Sequence, residues 1–129
     1  DPSLPLIRIH RDLILQALDN IFINAYESSN LNLNSYLKIK TRFVIGESIK
    51  IPNIKGYLKK NCISLIVSNN GVQISEDILK KIFLPFFSTK KRGSGIGLFI
   101  VKKIINDHDG TIDIQSKDGI TSVNIVLPF

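Results

Sequence analysis

"FLPFFSTKKRGSGIGLFIVKKIINDHDGTIDI", residues 83 to 114, runs from an aromatic loop containing proline through a basic stretch into closely spaced glycines that open a helix. After Leu98 the apolar residues recur at helical spacing as far as Asp109-Gly110, where a glycine can terminate the helix. "TIDIQS" and "TSVNIVLP" then read as two strands joined by the turn Lys117-Asp118-Gly119.

The glycine run fits neither common nucleotide fingerprint. No strand leads directly into it, and no Gly-Lys-Ser/Thr follows it. Glycines let a backbone approach a ligand closely, and free N–H groups at a helix N-terminus bind anions. Gly93 to Leu98 can therefore cradle phosphates while Lys90, Lys91 and Arg92 neutralise them. On the glycines alone, a flexible surface loop is the competing reading.

Upstream, "RDLILQALDNIFINAYESS" (residues 11–29) carries Leu13, Ile14, Ala17, Leu18, Ile21, Phe22 and Ala25 at three- and four-residue spacing, the pattern of a helix packed on a core. Asp12 is the expected N-cap. Gln16, Asn20 and Asn24 fall at successive i, i+4 steps on another face. Asparagine is a poor helix former because its side chain competes for backbone hydrogen bonds, so two of them in register point to a requirement for their amides. Their carbonyl oxygens are hard donors suited to a magnesium ion that keeps most of its waters and bridges to phosphates. The plainer alternative is a pair of amides that satisfy neighbouring backbone.

Between these segments, "SYLKIKTRFVI" alternates from Tyr36 to Val44 as a half-buried strand, and "CISLIVS" (62–68) is the next strand. Gly46 to Lys60, with Pro52 and Gly56, reads as a hairpin-like or irregular insertion. "SEDILKKIF" is a short helix with Ser75 at its N-cap. The order helix, strand, strand, helix, helix, strand, strand predicts an α+β fold, a two-layer sandwich with helices on one face of a mixed, mostly antiparallel sheet.

At 129 residues the chain can bury one core and not two, so a single domain over residues 1–129 is expected. No apolar run approaches the roughly 20 residues of a membrane-spanning helix and nothing resembles a signal peptide, which favours a soluble, cytoplasmic domain without membrane contact. The lone Cys62 sits in an apolar strand without metal-ligand neighbours and is expected in the core. The net charge of +6 suits a polyanionic partner. Much of it lies in Lys55–Lys60 and Lys80–Arg92 without interleaved stacking aromatics, so nucleic-acid binding is not expected.

An amide pair on a first helix, a strand ending in Asn-Asn-Gly, and a Phe-rich loop leading to Gly-x-Gly-x-Gly recur in this order in one family. The chain resembles, essentially end to end, the catalytic ATP-binding domain of sensor histidine kinases, in the superfamily shared with gyrase, the chaperone Hsp90 and MutL (the Bergerat-type ATPase fold). "NIFINA" looks like the N box, "NNGVQI" the first glycine box, "FLPFF" the F box and "GSGIGL" the second glycine box. The lead-in "DPSLP", the insertion after Tyr36 and the short lid are most similar to nitrogen-regulation kinases of the NtrB type, with the NtrY type next.

The resemblance implies ATP and Mg2+ as cofactors, with Asn24 as the magnesium ligand and Asn20 lining the phosphate site. Lys90, Thr89, Gly93 and the amides of Gly95, Ile96, Gly97 and Leu98 would hold the triphosphate, and Phe83 and Phe86 would anchor the lid. ATP-hydrolysing relatives carry a glutamate one turn before the metal asparagine, where it can act as general base. Asn20 at that position fits phosphotransfer, with Asn20 and Lys90 as the catalytic pair. The acceptor histidine would lie on a separate domain, because His10 and His108 lack the acidic context of a phosphoacceptor motif, and the chain would be a piece of a longer, homodimeric kinase. Its implied partners are the kinase's own dimerisation and phosphoacceptor domain, an NtrC-type response regulator and the signal protein PII.

One site departs from the family pattern. Asp-x-Gly-x-Gly is replaced by Asn69, Gly71 and Gln73. A neutral Asn69 carbonyl can still accept from an adenine amino group, but hydrogen bonds to charged groups contribute about 1.5–3 kcal/mol against about 0.5–1.5 for neutral ones, a loss on the order of tenfold in affinity. Gln73 would be strained if its backbone had to be left-handed. Two readings follow: a kinase domain with re-tuned nucleotide binding, or a degenerate module that acts as a signalling or binding domain.

Overall fold

A computed structural model describes residues 1–29, 34–49, 55–91 and 93–129. Arg92, and Pro52 in the 46–60 insertion, lie outside the described residues. The elements are α1 (Arg11–Ser28), β1 (Leu37–Ile49), β2 (Leu58–Asn70), α2 (Glu76–Leu79), α3 (Gly97–Asp107), β3 (Thr111–Lys117) and β4 (Ile120–Pro128). The sheet order is β1-β2-β4-β3, and all three neighbouring pairs are antiparallel.

The two periodicities of the sequence meet in one core. Ala17 and Ile21 of α1 and Val101, Ile104 and Ile105 of α3 pack on Val67, Ile114, Val123 and Ile125 of the sheet. Three- and four-residue spacing puts the first five on facing helical stripes, while alternation puts the other four on one face of the sheet. Burying a side chain of this size contributes about 1.5–3 kcal/mol, so truncating Ile21, which is 1% exposed, costs about 2–5 kcal/mol. Cys62 is also fully buried, and burial pushes its thiol above the usual range, with Glu47 adding to the effect and Lys60 opposing it.

Turn chemistry sets the connections. Asp118 and Gly119 both have positive φ (52° and 74°), as a two-residue type I′ hairpin requires. The strands β1 and β2 continue into the described parts of the 46–60 insertion, pairing as far as Ile49 and Leu58, and the register shifts between Val44 and Glu47, where Gly46 has φ 65°, a β-bulge. At the end of α3, Asp109 N–H donates to Asn106 O (3.0 Å) and Gly110 N–H to Ile105 O (2.9 Å), the paired bonds of a Schellman motif. The left-handed residue there is Asp109 (φ 55°).

One boundary differs from expectation. Helix α1 is capped by His10, and Asp12 lies inside its first turn. The cause is tertiary: His108 Nδ1 bonds Ile104 O (2.7 Å), which leaves Nε2 to accept the His10 backbone N–H (3.0 Å). The chain is pinned to the end of α3 at His10, so the helix starts at Arg11. Helix α2 is likewise only four residues long, after which the chain continues in turns through Phe83.

Candidate functional site

The C-terminal half of α1, the ends of β2 and β4, and the segment leading into α3 surround a cavity of about 550 Å³, within the range of small-molecule sites. Of the residues singled out in the sequence, Asn20, Asn24, Asn69, Gln73, Thr89, Lys90, Gly93, Gly95, Gly97 and Leu98 line it. Gly71, Phe83, Phe86 and Ile96 do not.

At one end the amide stripe of α1 faces the lid. Asn20 Nδ2 donates to Gln16 O (2.9 Å), which ties one half of the amide to its own helix. Its Oδ1 stands 2.8 Å from where a Cβ on Gly97 would lie, so a side chain there would have to displace the Asn20 amide. Lys90 crosses from the lid: Nζ donates to Asn24 Oδ1 (2.8 Å) and pairs with the Glu27 carboxylate. Among the described residues no side chain caps the N-terminus of α3, which leaves its first amides available to an anion.

Gly95 fixes the lid to the aromatic loop. Its φ is +67°, and a Cβ would lie 2.5 Å from Phe86 C and 2.7 Å from Phe87 N. The anchoring aromatics differ from the expected pair. Phe83 packs against the core, with Lys102 Nζ 5.0 Å from its ring centroid. Phe86, at φ 64°, is 78% exposed, and Phe87 takes the inward place lining the cavity. The left-handed backbone at Phe86 turns the chain so that the second aromatic faces inward.

At the other end Asn69 is 4% exposed. Its Nδ2 donates to Ser28 Oγ (3.1 Å), and Ser28 spends its own hydrogen on Ala25 O (3.1 Å). The serine can therefore only accept from Asn69, which fixes the amide with its NH2 toward α1 and leaves its carbonyl oxygen as the acceptor. Thr121, opposite Asn69 in the ladder, lines the cavity and pairs with Ser116 Oγ (2.9 Å), which also accepts Ile74 N–H (2.9 Å). Asn70 braces residues 34–36 by bonding Asn34 O and Tyr36 N–H (2.9 and 2.8 Å). Gly71 is required by close approach, since a Cβ would sit 2.3 Å from Ser28 O.

Gln73 is exposed at the cavity, and its backbone is not left-handed: among the described non-glycine residues only Phe86, Asp109 and Asp118 have positive φ. The strain that would have argued for a degenerate site is absent, and that reading has no support. Glu27, Ser28, Phe87 and Thr121 were not singled out in the sequence. Glu27 follows Asn24 by three residues and continues its stripe, a signal that was available. Ser28 and Thr121 become visible only through tertiary pairing.

Among the described residues no three His, Cys, Asp or Glu side chains cluster, so these residues offer no complete metal cage. The donor set does fit magnesium, which takes few protein ligands beside water and phosphate: Asn24 Oδ1 is a hard oxygen already turned to a cation, the Lys90 ammonium, beside a carboxylate.

A cavity between an amide-bearing helix and the N-terminus of a second helix, over one antiparallel sheet, defines a nucleotide-binding domain. Residues 9–129 match the family of histidine kinase-, DNA gyrase B- and HSP90-like ATPases, and the chain belongs to that family as an ATP-binding catalytic domain of the histidine kinase type. It is 31% identical over 99% of its length to the sensory histidine kinase/phosphatase NtrB of Rhizobium leguminosarum bv. phaseoli, and 34% identical over its whole length to NtrB of Vibrio alginolyticus. It spans 33% and 35% of those proteins. The nucleotide-free catalytic domain of the histidine kinase ThkA superposes on 95% of the chain, which covers 70% of that domain, with a TM-score of 0.74 and 30% identity. No helix among the described residues is long and apolar enough to cross a membrane.

Proposed function

We propose that residues 1–129 form one catalytic domain within a longer two-component sensor kinase, and that it binds Mg-ATP and presents the γ-phosphate to a histidine on a separate dimerisation and phosphoacceptor domain. The observation that carries this is the polarity of the cavity: Asn24, Lys90 and the α3 amides gather at one end and the Asn69 acceptor stands at the other. Adenine fits the acceptor end beside Ser28 and Thr121, and the triphosphate fits the cationic end.

Catalysis in such a site is alignment and charge neutralisation. Lys90 and the α3 amides orient the phosphates, and a magnesium ion held at Asn24 supplies further neutralisation. Asn20 cannot take a proton from water, and the only carboxylate among the described lining residues, Glu27, is engaged by Lys90. The site therefore favours transfer over hydrolysis.

Similarity to the NtrB proteins supports a finer reading: a cytoplasmic, homodimeric kinase of nitrogen regulation, with an NtrC-type response regulator and PII as partners. The test is calorimetry with Mg-ATP, followed by γ-labelled ATP with and without the kinase's own phosphoacceptor domain. The expected result is binding, acid-labile label on that domain and little free phosphate. Rapid release of free phosphate without the domain would make the chain a hydrolase and overturn the reading.

A further inference from the structure

We propose that the Lys90–Glu27 pair is the resting place of the lid lysine before nucleotide binds, so that nucleotide binding exchanges Lys90 from the Glu27 carboxylate to the terminal phosphate. The inference rests on the ATP-binding reading above and deepens it.

Among the described residues Lys90 is the one lid side chain bonded to α1. Its ammonium reaches Asn24 Oδ1 at 2.8 Å and Glu27 Oε2 together, two residues at i, i+3 on one helical face. The lid arrives at α1 as a preformed turn, with Lys90 N–H on Ser88 Oγ (3.1 Å) and Gly93 N–H on Lys90 O (3.2 Å). Removing the Glu27 charge thus takes away the lysine's anionic partner without disturbing the turn that carries it.

The strength of the pair suits an exchange. Both side chains are roughly half exposed, 40% for Lys90 and 48% for Glu27, and exposed ion pairs change an equilibrium by about fivefold at most. A buried pair would lock the lid, whereas this one yields to a phosphate. The exchange also has a second effect. The swing that carries Nζ away from Glu27 takes it off Asn24 Oδ1, which leaves that oxygen open to a divalent cation. Delivery of the lysine to the phosphate and exposure of the metal-facing oxygen are one motion.

The experiment compares the wild-type chain, Glu27→Gln and Lys90→Met by hydrogen exchange of the amides of residues 88–95 without nucleotide, then by calorimetry with Mg-ATP. Parking predicts that both variants speed exchange of the empty lid about fivefold. Glu27→Gln should then bind Mg-ATP about three- to fivefold more tightly, because no parked contact has to be broken, while Lys90→Met binds more weakly. Unchanged lid exchange in Glu27→Gln overturns the parking contact. Weaker Mg-ATP binding by Glu27→Gln overturns the exchange and makes Glu27 a direct participant in holding the metal. A wild-type chain that binds no Mg-ATP overturns the ATP reading and not the contact, since exchange of the empty lid still reports whether Glu27 holds Lys90.

Discussion

The two ends of the cavity are held by different forces. At the end proposed for adenine a run of groups is tied into the fold: Asn69 Nδ2 to Ser28, Val72 N–H to Ser28 O (3.4 Å), Gly71 N–H to Gly119 O (3.0 Å), Ile74 N–H to Ser116. At the phosphate end the lid rests on α1 through an exposed ion pair and on the aromatic loop through one glycine. One end is part of the core and opens only when the domain unfolds, whereas the other can open locally. An adenine pocket gains from a fixed shape, while a phosphate lid has to move to admit and release its ligand.

Two glycine substitutions separate these ends most sharply. In Gly71→Ala the new methyl would lie 2.3 Å from Ser28 O, a backbone atom of α1. Neither partner can give without parting α1 from β2, so the expected cost is about 3 kcal/mol and a fall in Tm of about 10 °C. In Gly95→Ala the left-handed backbone and the contact with Phe86 together disfavour the docked lid by about 3 kcal/mol. The lid can detach alone, so Tm should move by no more than about 2 °C while Mg-ATP affinity falls about a hundredfold. Equal thermal shifts in the two variants would erase the distinction between the ends.

The next largest effect tests the charge missing from the adenine end. Asn69→Asp should tighten Mg-ATP binding about tenfold, the difference between a neutral and a charged acceptor. The same carboxylate replaces a residue that is 4% exposed, and Ser28 must turn its hydrogen from Ala25 O to meet it. Without ligand, Tm should drop by about 4 °C, corresponding to about 1 kcal/mol, and saturating Mg-ATP should recover it. Calorimetry and thermal melts on the same samples check both halves. A variant that loses stability without gaining affinity would place the adenine group elsewhere than at Asn69.

What the sequence discloses follows from the range of the interactions. The helices, strands and Asp-Gly hairpin rest on local period and turn chemistry and were legible, as was the gathering of the Asn20–Asn24 stripe and the glycine run at one cavity. The start of α1 was not, because a histidine ninety-eight residues away decides it. Nor could "PFF" say which phenylalanine turns inward: two adjacent aromatics have no period, and no local turn residue signals the φ of 64° at Phe86. Glu27 was legible in part, as the next residue of the amide stripe, but its partner comes from a loop sixty-three residues on.

The smallest expected effect is at Gln73, and it completes the comparison. The side chain stands where the Asp-x-Gly-x-Gly pattern of the resemblance calls for glycine, yet its backbone is not left-handed and the side chain is exposed at the cavity. Gln73→Gly relieves no strain and removes no hydrogen bond seen in the structure. It should lower stability by no more than about 1 kcal/mol through added freedom of the unfolded chain and leave Mg-ATP affinity within about twofold, a change of less than about 0.5 kcal/mol. The double variant Asn69→Asp, Gln73→Gly should then bind like Asn69→Asp alone, because a rigid end of the cavity responds to the acceptor it offers and not to bulk at its mouth. A tenfold gain from Gln73→Gly by itself would mean the opposite: the adenine end would be limited by steric access, and both ends of the cavity would then be gated.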